Sequence, residues 1–215
     1  MMTAYSELYI ENAQQVLGQM MHYVIYDLKM DYDPFARLFV QSGAAGQFGR
    51  GNPRFVAGMS GPELADVVLR RLTGHGCEAE PQPYYDRSDA YWTGYTLAWY
   101  QWQANCSFRR LFEEEVPCSS IAGMYHKYHE MDLDHSAEEI DRLRRLSAYH
   151  RLIGLRNMRE YAGLSQRQLA DRSGVPLRTI QQYEQGQKNI RRAAFDTVCC
   201  LARALHCRPE QCVGE

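Results

Sequence analysis

The chain of 215 residues is 45% hydrophobic, which is enough for one large or two small domains with ordinary cores. Its net charge of −2 combines two parts of opposite sign, because residues 149–215 carry 11 Lys and Arg against 6 Asp and Glu, while residues 1–148 carry 13 against 20. The sequence has no apolar run long enough to cross a membrane and no signal-peptide pattern at its start, so we expect a cytoplasmic protein.

The first predicted elements are helices. Apolar residues recur at helical spacing over residues 4–30 and predict one long amphipathic helix, with Leu8 in its apolar stripe. Asp33-Pro34 ends this helix or starts a short second one, which carries the apolar residues Phe35, Leu38, Phe39 and Val40. The stretch Gly49–Pro53 is interpreted as a turn, because it lacks the preceding strand and the Gly-Lys-Ser/Thr ending of a phosphate-binding loop.

Three patterns organise the middle of the N-terminal part. Ser60 and Glu63 have the capping-box spacing and predict a helix that runs through Leu72. Residues 74–86, rich in Gly, Pro and acidic groups, predict a mobile connection. Aromatic residues recur three or four positions apart over 91–102, which favours a helix buried in a core or dimer interface over an aromatic cage for a ligand.

The stretch from residue 117 to residue 145 predicts further helices and carries one motif that resembles a metal site. A helix is expected after Pro117, and another after the capping-box pattern Ser136–Glu139. Between them, His126, His129 and Glu130 read H-x-x-H-E, which is the wrong order for either common zinc-hydrolase motif. A metal-dependent enzyme that uses these residues is therefore the least favoured hypothesis.

Other chemistry is not predicted by the sequence. The seven cysteines are odd in number and lack paired C-x-x-C spacing, so structural disulfides are not expected. Four of them lie near His206 without the ligand spacing of structural zinc sites, namely Cys199, Cys200, Cys207 and Cys212. We also find no Ser or Cys with a base and an acid at a recognised spacing. We expect no metal, no cofactor and no catalytic residue.

The most informative pattern is QRQLADRSGVPLRTIQQY, residues 166–183, which predicts two helices joined by a tight turn. Ser165 is a suitable N-cap for the first helix, and Ala170 is small enough to let the second helix approach closely. Gly174 stands where the turn requires a positive φ, and Pro176 suits the first turn of the second helix. The apolar anchors of the motif are Leu169, Val175, Ile180 and Tyr183.

With these features, residues 149–215 resemble the helix-turn-helix domains of the phage-repressor family, to which lambda repressor and Cro belong. The runs Gly163–Gln166 and Tyr183–Gly186 and a closing helix over 193–205 match as well. The resemblance implies a five-helix DNA-binding domain in which the second helix of the motif enters the major groove. It also implies that Arg159 and Glu184 pair to fix the geometry of the motif.

The same resemblance implies two sets of DNA-contacting residues. Arg178 is expected to grip guanine and Gln182 adenine, while Leu177 either touches a thymine methyl group or packs inside the domain. Gln166, at the start of the first helix, is expected to meet a phosphate. The base-contacting set is Leu177, Arg178, Thr179, Gln181 and Gln182. The phosphate-contacting set is Gln166, Lys188, Asn189, Arg191 and Arg192.

Strand signals are almost absent, so the whole chain is expected to be all-α, with a helical domain over 1–148 and the DNA-binding domain over 149–215. The stretches Phe48–Leu64 and Tyr91–Trp102 resemble the helical front domain of bacterial regulators that are often encoded beside toxins. This implies a repressor that binds double-stranded DNA as a homodimer and acts as an autoregulating antitoxin, with a toxin as its protein partner. The alternative is a repressor whose N-terminal domain senses a small molecule or peptide.

Overall fold

The computed structural model describes residues 3–83 and 87–214, and within them the fold is all-α, as the sequence predicted. The chain divides into two compact units, residues 1–144 and residues 145–215, which we call the N-terminal and C-terminal units. None of the described helices combines the length and the apolar character that a membrane span requires.

The N-terminal unit is built from eight α-helices and the first part of a ninth, together with a 3₁₀ turn at Glu7–Tyr9 and π-helical turns at Tyr23–Asp27 and Arg110–Glu115, in the part of the chain that the structure describes. The α-helices are α1 (Ile10–His22), α2 (Tyr32–Gln41), α3 (Ala44–Gly49), α4 (Pro53–Val56), α5 (Gly61–Thr73), α6 (Asp89–Ala104), α7 (Cys118–Ala122), α8 (Tyr125–Tyr128) and α9 (Leu133–Leu152).

Helix α6 is the aromatic helix, and it packs mainly against α1. Eleven of its sixteen residues are buried, including Tyr91, Trp92 and Tyr100. The two helices approach closely at Gly94, where any Cβ atom would collide with the backbone of Leu17. The aromatic residues of α6 therefore belong to the core of the unit, and a glycine in their midst permits the close crossing.

The first predicted helix is divided into three pieces, because the 3₁₀ turn precedes α1 and a π-helical turn follows it. Leu8 lies in the 3₁₀ turn and is 88% exposed, so its placement in the apolar stripe was wrong. A 3₁₀ turn has three residues per turn instead of 3.6, so the register of the apolar face is shifted there.

The predicted turn at Gly49–Pro53 is shorter than expected. Gly49 ends α3 and Pro53 begins α4, which leaves residues 50–52 as the connection. Asn52 caps α4, because its side-chain oxygen accepts a hydrogen bond of 3.1 Å from the amide of Arg54. The glycine-rich passage between α2 and α5 is thus largely short helices.

Helix α5 begins with the predicted capping box, in which Ser60 and Glu63 bond each other's backbone amides. The connection after it has no helix in its described residues, 74–83, but it is hydrogen-bonded to the rest of the unit. The amide of Cys77 donates to Asp66 over 2.9 Å, and that of Gln82 donates to Asp27 over 3.3 Å. The last part of the predicted mobile connection, residues 84–86, lies outside the described residues.

Helix α9 starts earlier than its predicted capping box. Leu133 is its first residue, so Ser136 lies inside the helix and its side chain is completely buried. The prediction that Ser136 caps this helix was wrong, because its hydroxyl lies in the core of the unit, one turn inside the helix. Ala137 and Ile140 on the same helix also pack into the core of the N-terminal unit.

The C-terminal unit contains five further α-helices within its described residues and a 3₁₀ turn at Ile190–Arg192. Its small core is formed by apolar residues from all five helices and the loops between them. The helices are α10 (Leu155–Tyr161), α11 (Gln166–Ser173), α12 (Leu177–Glu184), α13 (Phe195–Ala204) and α14 (Pro209–Val213). The core residues include Leu155, Met158, Leu164, Leu169, Val175, Ile180, Val198, Leu201, Leu205 and Cys212.

Candidate nucleic-acid interface

The first helix of the motif, α11, starts at a reciprocal cap. The Ser165 hydroxyl accepts a hydrogen bond of 3.2 Å from the amide of Gln168, and the Gln168 side chain accepts one of 2.8 Å from the amide of Ser165. Leu169 is completely buried on the inner face of this helix and Ala170 is almost so. The cap and the two small or apolar residues fix where α11 begins and which face it covers.

The turn between the two helices depends on Gly174. This residue has φ of 70°, and its amide donates a hydrogen bond of 2.9 Å to the carbonyl of Ala170. L-residues are strained in this left-handed region, whereas glycine adopts it freely. Pro176 is the N-cap residue of α12, one position before the predicted first turn, and its carbonyl accepts hydrogen bonds from the amides of Thr179 and Ile180.

Helix α12 is the recognition helix implied by the resemblance, and its two sides differ in burial. Ile180 is completely buried, and Tyr183 is half-buried against the core of the C-terminal unit. On the other side Arg178 is exposed, while Thr179, Gln181 and Gln182 are half-buried. Within the described residues, none of these four side chains is hydrogen-bonded to the protein. Their polar groups are therefore available to a partner molecule.

Leu177 differs from the other four residues of the base-contacting set. Its side chain is half-buried and packs against the core of the C-terminal unit. Of the two roles that the sequence left open, packing is the one that this position supports. The remaining exposed part of the side chain is apolar and adds no hydrogen-bonding group to the surface.

A buried ion pair links the first helix of the unit to the end of the recognition helix. The Arg159 guanidinium donates to Glu184 through Nε over 2.7 Å and through Nη2 over 2.9 Å, and it also donates to the carbonyl of Leu164 over 2.7 Å. The side chains of Arg159 and Glu184 are 11% and 3% exposed. Pairing with Glu184 raises the pKa of Arg159. The pair fixes α12 relative to α10.

Gln166 joins this network. Its side-chain nitrogen donates a hydrogen bond of 2.7 Å to the second oxygen of Glu184. The residue is the first of α11, where backbone amides point out of the helix and favour an anion. The side chain is thus held in place by Glu184, while the amides of Gln166 and Arg167, which the Ser165–Gln168 cap does not use, remain the groups that suit a phosphate.

The basic segment after the recognition helix contains two arginines in different situations. The guanidinium of Arg191 donates a hydrogen bond of 3.2 Å to the carbonyl of Gly214, whereas the exposed side chain of Arg192 has no bond to another described residue. Asn189 uses its side-chain oxygen to accept from the amide of Arg191 over 2.9 Å, and Lys188 is exposed. Arg192 and Lys188 are therefore the freest cations of the predicted phosphate-contacting set.

The predicted set leaves out two exposed arginines of α11. Arg167 and Arg172 lie on the first helix of the motif and form no ion pair with any residue in the described ranges. The excess of basic residues over 149–215 includes both of them. The charge count was therefore the signal that could have added them to the predicted phosphate-contacting set.

In the described residues, neither the His126–Glu130 motif nor the cysteines near His206 form a metal site. His129 lies 3.7 Å from the carboxylate of Glu130 and bonds the carbonyl of Tyr125, while the sulfur atoms of Cys207 and Cys212 lie 3.3 Å apart. Among the described residues, no group of three or more His, Cys, Asp or Glu side chains is arranged to hold a metal ion. Disulfides are absent from the described cysteines, which are all free thiols.

Comparison with known proteins bears on the C-terminal unit. A family model described as a helix-turn-helix domain matches residues 154–211. No curated protein and no solved structure matches the chain. The matched range contains α10 to α13 and the first residues of α14, including the capped helix, the Gly174 turn and the recognition helix. The chain therefore carries a helix-turn-helix domain, the kind of module by which regulators bind DNA.

Proposed function

We propose that this protein is a sequence-specific transcriptional repressor that binds operator DNA as a homodimer. The observation that carries the proposal is the outer side of α12, where Arg178, Thr179, Gln181 and Gln182 offer unbonded polar groups on a helix that is rigidly anchored by Ile180. Such groups discriminate base pairs when a helix lies in the major groove.

The roles of the individual side chains follow from their chemistry. The Arg178 fork matches the two acceptors of guanine, and the Gln182 amide matches the donor and acceptor of adenine. Thr179 and Gln181 flank them on the same helix. The backbone amides at Gln166 and the segment Lys188–Arg192 contact phosphates and set the position of α12 along the groove.

Dimerisation is proposed because a single module buries only about 600–1,000 Å² on DNA, which gives weak discrimination. A cleft of about 480 Å³ in the C-terminal unit is lined by Ile153, Val198 and Val213, and Phe195 at its edge is 75% exposed. A second copy related by a two-fold axis places the exposed Phe195 of each copy against this apolar lining of the other. We assign this face to a second copy of the chain.

The dimer face is tested by sedimentation velocity. Phe195→Asp is expected to convert the dimer to a monomer and to weaken operator binding. Tyr161→Asp is the matched control, because Tyr161 is 76% exposed and does not line the cleft. An unchanged dimer in the Phe195 variant, or equal dissociation in both variants, would contradict the assignment to this face.

For the N-terminal unit we propose a regulatory role toward a protein partner. Residues 1–148 have 20 acidic against 13 basic residues, a balance that suits a basic partner such as a toxin. In that case the protein is an antitoxin that represses its own gene. Co-expression with the product of the neighbouring gene tests this, and failure of the two proteins to co-purify would contradict it. The alternative role is a sensor of a small molecule or peptide.

DNA binding is tested by selecting bound fragments from the host genome with the full-length protein. A shared two-fold symmetric sequence at the protein's own promoter is expected if it represses its own gene. The selection is repeated with Arg178→Ala combined with Gln182→Ala, which should recover no shared sequence, and with Arg203→Ala, an exposed arginine of α13, which should recover the original one. Random fragments in the wild-type selection would reject sequence-specific binding.

The phosphate contacts are tested by the salt dependence of operator affinity. Because each neutralised phosphate contributes about 0.9 to the slope of log K against log salt, Arg192→Ala should lower that slope by about one. Arg191→Ala should lower it less, since the Arg191 guanidinium is already bonded to Gly214. A larger effect at Arg191 would show that the bond to Gly214 is given up on DNA.

A further inference from the structure

The N-terminal unit contains a cleft of about 580 Å³ that the motifs of the sequence do not account for. One wall is α3 and the turn after it, with Gly46, Gly49 and Arg50. The other wall consists of Gln101 near the end of α6 and of residues 105–109 beyond that helix, including Arg109. Its volume lies in the range typical of sites for small molecules.

The first feature that points to a ligand is the side chain of Gln101. This residue is only 2% exposed, and its side-chain nitrogen donates a hydrogen bond of 3.0 Å to the carbonyl of Gly49. A carbonyl accepts only, so this bond identifies the other amide atom as the oxygen. That oxygen is buried and has no hydrogen-bond partner within the described part of the chain. A buried acceptor of this kind calls for a donor.

The second feature is charge. Arg50 and Arg109 both line the cleft, both are exposed, and neither forms an ion pair with a described residue. None of the described residues that line the cleft is acidic, although residues 1–148 as a whole carry more acidic than basic side chains. Two unpaired guanidinium groups in an otherwise acidic domain concentrate positive potential at this cleft, and their planar forks suit phosphate oxygens.

The third feature is the shape of the wall at α3. Gly46 carries no side chain, and the guanidinium of Arg50 lies beside it, because a Cβ atom built there would be 3.7 Å from Arg50 Nη1. This contact places the Arg50 cation over the glycine face of α3. The turn itself is no phosphate-binding loop of the nucleotide-binding kind, so the side chains, and not a row of backbone amides, supply the positive groups.

We propose that this cleft binds a small phosphate ester that also carries hydroxyl groups, such as a sugar phosphate. The phosphate pairs with Arg50 and Arg109, and a ligand hydroxyl donates a hydrogen bond to the free side-chain oxygen of Gln101. A dianionic phosphate matches two arginines better than a single carboxylate does. The site lies within the N-terminal unit alone and does not depend on DNA binding by the helix-turn-helix.

The test uses the full-length protein, with binding followed by calorimetry and by the melting temperature. The probes are ribose 5-phosphate, glucose 6-phosphate and glycerol 3-phosphate, compared with ribose, glucose and inorganic phosphate. Ligands that bind the native state raise its melting temperature, and the rise grows with the ratio of free ligand concentration to Kd. At least one phosphate ester is expected to bind more tightly than inorganic phosphate and than its own phosphate-free sugar by about tenfold or more.

Variants connect binding to the cleft. Arg50→Ala and Arg109→Ala change exposed residues and should leave folding intact, and each should weaken binding about tenfold. Arg37→Ala, an exposed arginine of α2 outside the cleft, is the control and should bind as the wild type does. Gln101→Met should remove the preference for the ester over inorganic phosphate while binding of phosphate itself persists.

Three results would overturn the proposal. The first is that no phosphate ester binds or shifts the melting temperature. The second is that binding is unaffected in both the Arg50 and the Arg109 variant, and the third is that inorganic phosphate binds as tightly as every ester. Operator binding is measured on the same variants without ligand, so that a failure of this proposal is separated from a failure of the helix-turn-helix assignment.

Discussion

Each unit of this protein contains a buried ion pair between an arginine and a glutamate, but the two pairs have different relations to the sequence. Arg159 and Glu184 belong to the helix-turn-helix, and the pattern of that motif implied their pairing in advance. In the N-terminal unit, Glu115 pairs with Arg144 and, over 2.9 Å, with Arg110. No motif indicated this second pair, although its carboxylate side chain is only 6% exposed.

Residues that interact within a short stretch of sequence can be predicted to pair, whereas partners that are distant in the chain cannot. In the C-terminal unit the pair, the cap and the turn occur within a short stretch whose spacing is shared with a known family. In the N-terminal unit, Arg144 also donates a hydrogen bond of 2.6 Å to the hydroxyl of Tyr100. That hydroxyl in turn donates a hydrogen bond of 2.6 Å to Asp141. Tyr100 lies on α6, Glu115 lies in the π-helical turn Arg110–Glu115, and the other two residues lie on α9. Only the assembled core brings them together.

The largest expected effect is on the pair in the helix-turn-helix. Glu184→Ala leaves the buried Arg159 guanidinium without its carboxylate and removes the acceptor of Gln166, so we expect the C-terminal unit to lose roughly 3–5 kcal/mol of stability. Calorimetry of the full-length protein measures the loss. Glu160→Ala is the control, because that carboxylate is 51% exposed and should contribute at most about 1 kcal/mol. Equal losses in both variants would contradict the structural role of Glu184.

The pair in the N-terminal unit is expected to show itself in the pH dependence of stability. Burial by itself would raise the pKa of Glu115, but pairing with Arg144 and Arg110 outweighs burial and lowers the pKa below its ordinary value. The contribution is therefore complete above the unfolded-state pKa of about 4.3 and disappears as the pH falls through the lower folded-state pKa. Denaturant unfolding, measured at a series of pH values from neutral to acidic, follows this loss of stability.

Glu115→Gln should be less stable than the wild type by about 3 kcal/mol at neutral pH, and the difference should shrink in acid. The comparison with Glu113→Gln, an exposed glutamate of the same π-helical turn, controls for the loss of a negative charge. A stability difference that does not change with pH would mean that the ion pair is not its source.

The next effect separates recognition from folding. Arg178→Ala should cost about 1–3 kcal/mol of operator binding and relax the preference at one base pair, because the side chain is exposed and the proposed binding mode gives it only a base contact. The stability of both units should stay unchanged. Competition binding against operators altered at each position measures the preference. Equal weakening on operator and random DNA would place Arg178 on the phosphate backbone instead.

The smallest effect compares equivalent local features of the two units. Ser165→Ala and Ser60→Ala each remove the N-cap of a capping box, and each should cost about 1 kcal/mol in its own unit. Calorimetric transitions assigned to each unit by the Glu184 and Glu115 variants measure the two losses. A much larger loss at either serine would show that the hydroxyl has a role beyond the helix end.

The sequence predicted the helix-turn-helix almost residue by residue, because caps, turns and anchors of such a motif interact over a few positions. Pro176 was misplaced by one residue, and Leu177 was left open between a base contact and packing. Both concern the helix boundary and the degree of burial, which depend on what covers the position. Predictions in the N-terminal unit failed at Leu8 and Ser136 for the same reason.

Local sequence patterns were enough to predict the all-α class, the capped helix starts at Ser60 and Ser165 and the tight turn at Gly174. Each of these follows from periodicity or from bonds between near neighbours in the chain. The close crossing of two helices at Gly94, and the cleft that Gln101 shares with two arginines, became apparent only in the folded chain. Contacts between distant residues depend on how helices pack, and packing is absent from any local pattern.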